Sequence, residues 1–310
     1  MLSFSENNGL FPTPILLVIF NRPEKLKNLM KILSQVKPEK LYISADGPRK
    51  NNLKDVEFCK RARNIATNIN WPCEIYTNFA TENLGLSGNR GLETAFNWFF
   101  SIEPEGIIFE DDHLPSLDYF NYAQTLLSKY RDEEKVMMIC GTNFQGEIEG
   151  DGASYYFSIY PTWGWATWRR SWDKYDREMK GLDSFLNLKK IDEILYNLKQ
   201  KKYWINFFKK IKNGKFHFMD SKLMFAMWNS NSVCIIPNSN LIENIGFGEG
   251  ATNTFDEYGL SMVRRGLKEI NHPKTITVNR TADDFFYNKV CKRSLFQKIK
   301  YKIKFLFREL

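Results

Sequence analysis

The sequence predicts an α/β protein with a mostly parallel central sheet flanked by helices, and three observations predict it. Short apolar runs alternate with amphipathic stretches through the first half of the chain, the order that builds a parallel sheet with helices on both faces. Three of the runs end in polar clusters, Asn21-Arg22, Asp46-Gly47 and Glu110-Asp111-Asp112, where ligands of such sheets sit. Over 310 residues, 43% hydrophobic and 15% aromatic content suffices for one large core or two small ones and excludes a disordered chain.

The first strand is expected at Ile15 to Phe20, stopped by Asn21-Arg22-Pro23. A helix follows from Glu24 to Gln35, because Leu26, Leu29, Met30 and Leu33 recur at spacings of three and four. A strand at Lys40 to Ser44 ends in Ala45-Asp46-Gly47-Pro48-Arg49, then a helix is expected from Leu53 to Ile69 and a strand from Cys73 to Thr77. A Gly-rich turn at Asn83 to Gly88 leads into a helix reaching Phe100, and the strand Gly106 to Glu110 runs into Asp111-Asp112-His113. A further helix is expected from Ser116 to Tyr130. The second half carries an aromatic block, Tyr155 to Tyr175, with four tryptophans, a lysine-rich helical stretch Ile191 to Lys212 expected as a surface insertion, and a helix through Trp228. A strand from Ser232 to Ile236 precedes a Gly-rich run, Asn244 to Asn253.

Five cysteines (Cys59, Cys73, Cys140, Cys234, Cys291) lack paired or CxxC spacing, so neither a disulfide framework nor a zinc site is indicated. His113, His217 and His272 form no HExxH spacing and no GxSxG elbow occurs, which argues against zinc hydrolases and α/β-hydrolases. The apolar run at Pro14 to Phe20 is far short of a bilayer span and lacks the flanks of a secretory signal, so a cytoplasmic location is expected. The formal charge of +8 is concentrated at the end, where residues from Lys289 onward carry eight Lys or Arg against one Glu. Leu295, Phe296, Ile299, Ile303, Leu306 and Leu310 would share one helical face, giving a basic amphipathic segment able to lie on an anionic membrane. Ile299, Tyr301, Ile303, Phe305 and Phe307 also alternate with period two, so helix and strand stay open, as does simple packing on the body. No nucleic-acid signature accompanies the charge.

Three consecutive acids directly after an apolar strand are costly unless a cation compensates them. Mg²⁺ or Mn²⁺ would, held by one or two carboxylates and a substrate diphosphate, and would neutralise charge on a departing diphosphate. An acidic turn or helix cap before the next helix is the plainer alternative. The rings around Gly164 can wall a sugar or base pocket or simply fill a core, and the Gly-rich run can offer amides to phosphate or merely turn.

In order, ILLVIFNRP, YISADGPR, NLGLSGNRGL, GIIFEDDHLPS, PTWGWATWRRSW, MDSKL and IPNSNLIENIGFGEGAT give the chain a resemblance to the GT-A glycosyltransferases, over about residues 14–254. Within them it resembles bacterial proteins related to the N-acetylglucosaminyltransferase I group, including hemolytic-protein-like members. The resemblance implies a GT-A (Rossmann-like) nucleotide-diphospho-sugar transferase domain over residues 10–285, with residues 10–120 binding nucleotide, 121–285 shaping the acceptor side, and a basic tail at 286–310. Phe20, Asn21 and Arg22 match the segment that contacts the base, and Asp46 the acid that contacts the nucleoside. Asn89 and Arg90 match the segment enclosing the nucleotide. Glu110, Asp111 and Asp112 match the Glu-Asp-Asp form of the DxD motif, with Asp112 the metal ligand and the other two nearer the ribose and sugar. Trp163, Gly164 and Trp165 match the segment beside donor and acceptor sugars. Asp220 matches the general base, and Gly246, Gly248 and Thr252 lie in a loop that closes over the diphosphate.

The implied activity is metal-dependent inverting transfer from a nucleotide sugar, a UDP-sugar by resemblance, with Mn²⁺ or Mg²⁺, to a saccharide or lipid-linked acceptor in bacterial surface polysaccharide synthesis. A base such as Asp220 takes the acceptor proton and is worth roughly 10²- to 10⁴-fold in rate. Its position also suits an N-cap. Two other classes stay open: a sugar-phosphate nucleotidyltransferase, whose Gly-rich basic loop after the first strand IFNRPEKLK lacks, and an inactive GT-A-like binding protein.

Overall fold

In the computed structural model, which describes residues 9–85, 90–145, 152–246, 263–267 and 269–292, one sheet of eight strands runs through the molecule. β1 (Ile15–Ile19) is buried along its whole length, as a continuous apolar strand must be when helices cover both sheet faces. Leu17 pairs in parallel with Ile43 of β2 (Lys40–Ala45) on one side and with Phe109 of β4 (Glu105–Glu110) on the other. β3 (Glu74–Phe79) extends the parallel set beyond β2. The chain therefore winds outward through β2 and β3, then returns to the far side of β1. This reversal opens a crevice beyond the carboxyl ends of β1 and β4.

Past β4, β8 (Trp165–Trp168) enters antiparallel, between β4 and β6 (Val136–Cys140). β9 (Val233–Pro237) runs parallel to β6, and β7 (Tyr155–Ser158) closes the edge antiparallel. The sheet is thus mostly parallel, as expected, with β8 and β7 as the reversed strands. A small second sheet pairs β5 (His113–Pro115) antiparallel with β10 (Ile242–Asn244).

Successive residues of β1 point to opposite faces, so the core divides. Ile15, Leu17 and Ile19 pack with α1 (Pro23–Val36), α2 (Leu53–Thr67) and α4 (Leu117–Lys129). Leu16 and Val18 face α3 (Arg90–Ile102). α1 starts with Pro23 at its first position, which suits the ring, and ends at Lys37 in the left-handed region (φ 55°) ahead of Pro38.

The aromatic block resolves into β7, β8 and α5 (Arg169–Trp172), followed by α6 (Leu182–Asn187). The lysine-rich stretch departs from expectation. It is two helices, α7 (Ile191–Ile194) and α8 (Leu198–Lys212), separated at Asn197, whose side chain accepts from Lys199 N at 2.8 Å and starts α8 afresh. Nor is α8 a surface insertion: Trp204, Phe208 and Ile211 are buried, and Trp204 and Phe208 meet Trp228 of α9 (Met219–Asn229) edge-on at 5.5 and 5.4 Å. Its lysines mark one face while aromatic residues at spacings of four and three anchor the other.

α10 (Arg280–Phe286) docks on the edge strand β7, and a π-helical turn, Tyr287–Cys291, follows. The question of helix or strand in the basic tail falls on residues 293–310, outside the described residues. Among the described residues no helix is long and apolar enough to cross a membrane.

Asp283 of α10 is 4% exposed; its Oδ1 accepts from Ser158 Oγ at 2.6 Å, and its Oδ2 has no hydrogen-bond partner. Burial above all pushes this carboxyl up to about 7, against 3.8 for a free aspartate. The folded state then holds the proton more tightly than the unfolded chain, so stability falls as pH rises from about 4 to about 7 and levels off above. Melting temperatures across that range should decline in the wild type and give a flatter line in Asp283→Asn; equal slopes would mean that this carboxyl does not set the pH dependence.

Candidate active site

The ends of β1 to β4 surround an open-mouthed cleft. Phe20 and Arg22 come from the end of β1, Asp46 from β2, Asn78 and Ala80 from β3, Glu110 and Asp111 from β4, and Gly91 and Thr94 from the first turns of α3. Parallel register places these strand ends at one level: Asp46 N donates to Ile19 O and Ala80 N to Ala45 O. Polar residues separated by up to about ninety positions therefore share one rim.

The acidic triplet is the electrostatic centre. Asp111 and Asp112 are buried. Asp111 Oδ2 accepts from Phe20 N at 3.2 Å, and Arg22 Nη1 lies 3.2 Å from Asp111 Oδ1 and 2.7 Å from Asp112 Oδ2. Burial first, and then the neighbouring acids, hold Glu110 and Asp111 above the ordinary carboxylate range, while Arg22 pulls both back. Glu110 N donates to His113 Nδ1 at 3.2 Å. In a neutral ring that bond leaves the proton on Nε2, which stands 3.9 Å from Asp112 Oδ1, and neither of these atoms has a hydrogen-bond partner. Burial lowers the His113 pKa, which favours the neutral ring.

β10 lies over this cluster. Asn244 pairs with His113, Ile245 N donates to Asp112 O at 2.9 Å, and the backbone of Gly246 comes so near that a Cβ there would meet Asp112 Oδ2 at 2.1 Å. Gly248 and Thr252, in the continuation of this segment, lie outside the described residues, as does Asn89. Arg90 opens α3 with an exposed side chain.

Two of the expected nucleotide contacts are turned inward. Asp46 Oδ1 accepts from Gly47 N and Leu84 N, both at 2.8 Å, and Oδ2 from Asn83 Nδ2 at 3.0 Å, so this carboxylate shapes the loop beside it while lining the cleft. Burial raises its pKa and these backbone donors lower it. Asn21 Nδ2 donates to Asp55 Oδ1 at 2.7 Å. Asp55, 2% exposed, also takes the Arg49 guanidinium, which lies over the Phe20 ring at 5.7 Å. Sequence reading missed Asp55, and also Lys25, whose Nζ is buried without a hydrogen-bond partner near Arg22, Asp111 and Asp112. Lys25 stands three residues after Arg22 on the first turn of α1, and that spacing was the available signal.

Trp165 pairs with Ile108 of β4, so Gly164 and Trp163, just before it, lie toward the Glu110 end of the neighbouring strand. Trp165 is half-buried against Phe96, and Trp163 against Phe144. Asp220, second residue of α9, has a solvent-open side chain that accepts from Ser221 N at 2.8 Å. The protein mass around it nevertheless raises its pKa, and its charge is felt at Glu110. Asp220, 110 positions from Glu110 in sequence, thus lies within electrostatic reach of it but outside the cleft lining.

A divalent ion at Asp112 would have to displace Arg22 from Oδ2, and the nitrogen nearest Oδ1 carries a proton. Among the described residues no three His, Cys, Asp or Glu side chains converge to hold a metal.

No family model and no curated protein matches the chain. Among solved structures it is similar to UDP-glucose pyrophosphorylase complexed with UDP-glucose, at 12% identity and a TM-score of 0.26. The match covers 49% of this chain and 64% of that one, and a likeness of this size bears on neither the activity nor the ligand of this chain.

Gly164 is the point at which the second half is fitted to the first. Its φ is +73°, Tyr119 Oη donates to its carbonyl at 3.1 Å, and an added Cβ would lie 2.0 Å from Ile242 Cδ1. Gly164→Ala should cost about 1–3 kcal/mol from backbone strain and this collision. Urea unfolding checks it, and an unchanged midpoint would mean that β10 can shift without loss.

Proposed function

We propose that the chain is an inverting glycosyltransferase that moves a sugar from a nucleotide donor, a UDP-sugar, to a hydroxyl of a saccharide or lipid-linked acceptor. The observation that carries this reading is that two acidic elements from opposite halves of the chain lie within electrostatic reach of each other. One is the Glu110-Asp111-Asp112 triplet at the switch-point cleft; the other is the solvent-open carboxylate of Asp220, whose charge reaches Glu110. A switch-point crevice suits a nucleotide. An inverting displacement needs one base on the acceptor side and no covalent intermediate.

In the proposed step the Asp220 carboxylate takes the proton of the acceptor hydroxyl while that oxygen attacks the anomeric carbon. The bond from the anomeric carbon to the diphosphate oxygen breaks, and its electron pair leaves with the nucleoside diphosphate. Phe20, Arg22, Asp46 and Arg90 are assigned to the nucleotide side, Glu110 and Asp111 to ribose and sugar, and Trp163, Gly164 and Trp165 to the sugars being joined. Asn21 acts through Asp55 in holding the β1 end. A divalent ion at Asp112, which the resemblance implies, would have to displace Arg22, and the transfer proposed here does not depend on it.

Transfer is favoured over nucleotidyl chemistry because Pro23 starts α1 directly after Arg22, with no Gly-rich loop between strand and helix for a triphosphate. The basic residues of the 293–310 segment suit an acceptor presented at an anionic membrane surface.

Isothermal titration with UDP, followed by a panel of UDP-sugars with product detection, tests the reading. Asp220→Asn should leave UDP affinity unchanged and lower transfer by about 10²- to 10⁴-fold. A variant as active as wild type would remove Asp220 from the chemistry, and pyrophosphate release from UTP and a sugar phosphate would identify a nucleotidyltransferase instead.

A further inference from the structure

The acidic triplet has a counter-ion of its own. Arg22 sits between β1 and the first turn of α1, its carbonyl accepting from Leu26 N at 3.1 Å, so its backbone is fixed by the helix it precedes. Its guanidinium lines the cleft and grips Asp111 and Asp112 at 3.2 and 2.7 Å. The planar fork of arginine also matches phosphate oxygens in a way a point charge does not. Near it, outside the cleft lining, the Lys25 Nζ is buried with no hydrogen-bond partner. A buried cation left short of partners is costly, and an anionic ligand that completes its shell removes the cost.

A metal would find the opposite situation. Mg²⁺ and Mn²⁺ need several oxygen ligands and keep some of their waters. Asp112 Oδ2 is held by Arg22, and Oδ1 faces the protonated Nε2 of His113 at 3.9 Å. The cation place beside the triplet is filled by the chain itself.

We propose that Arg22, backed by Lys25, is the resident cation of this site, and that the protein binds the diphosphate of its nucleotide without a divalent ion. The proposal rests on the nucleotide-sugar reading above and specifies how that site handles charge. Lys25 binds and neutralises phosphate oxygen, and Arg22 links the same phosphates to the triplet. Both cations then face the negative charge that grows on the leaving diphosphate.

The test is titration of UDP, and of uridine as the phosphate-free control, into protein stripped of metal and held in chelator, and again with Mn²⁺. Wild type should bind UDP with affinities that differ by less than about threefold between the two conditions. Lys25→Gln should weaken UDP by at least about tenfold and leave uridine unchanged, whereas Lys25→Arg should retain UDP affinity. UDP binding that disappears in chelator overturns the proposal while leaving the nucleotide reading intact, and so does a Lys25→Gln protein that binds UDP as wild type does. Should Lys25→Gln fail to fold, the wild-type comparison in chelator decides alone. Absence of binding by UDP, GDP, CDP, ADP and TDP in both conditions would remove the nucleotide reading and this proposal together.

Discussion

Three carboxylates at the end of a buried strand cannot stay where they are without compensation, and the arrangement around β4 follows from that constraint. Asp111 and Asp112 are drawn to Arg22, which the parallel pairing of β1 with β4 delivers to the same rim. The pairing does more than neutralise charge. It fixes the first turn of α1 against the triplet, brings the Phe20 amide onto Asp111, and leaves β5 directed so that it can pair with β10. Removing Arg22 alone would leave Asp111 and Asp112 buried without their cation, which is the expensive half of such an interaction.

The reversed strand β8 is the second organising feature. β4 and β6 run parallel and are joined through the helix α4, and β8, later in the chain, inserts antiparallel between them. It carries the Trp163-Gly164-Trp165 segment to the carboxyl end of β4, next to the triplet, and puts Trp168 into the core beneath α4, where its Nε1 donates to Leu127 O at 3.3 Å. The aromatic block therefore has both roles that its composition allowed. Trp168 and Trp172 are core, whereas Trp163 and Trp165 remain half-buried near the cleft.

Polar residues near the cleft divide in the same way between building it and facing it. Asp46 satisfies the amides of the 83–84 loop, and Asn21 secures Asp55, so both spend their hydrogen-bonding capacity within the protein. A loop at the end of a parallel sheet has backbone donors that need partners, and a strand-end carboxylate is well placed to supply them. Lys25 differs, because its buried ammonium has no hydrogen-bond partner. Residues of this second kind are the ones from which ligand chemistry can be inferred.

What the sequence determined by itself was local. Short apolar runs and a periodicity of three to four located β1, α1, β2 and β4 within a residue or two, and polar clusters at strand ends marked the rim of the cleft, because these signals arise from neighbours in the chain. It could not show that Ile191 to Lys212 would break at Asn197 and bury Trp204 and Phe208, since the lysines of one face masked the apolar stripe of the other. The tertiary structure alone decided that β8 would lie between β4 and β6, and that Asp220 would come near Glu110. It also decided that the cation beside Asp112 would be Arg22, 90 residues away. Such partners are chosen by strand register and by the cost of burying charge, and neither is written in the spacing of residues along the chain.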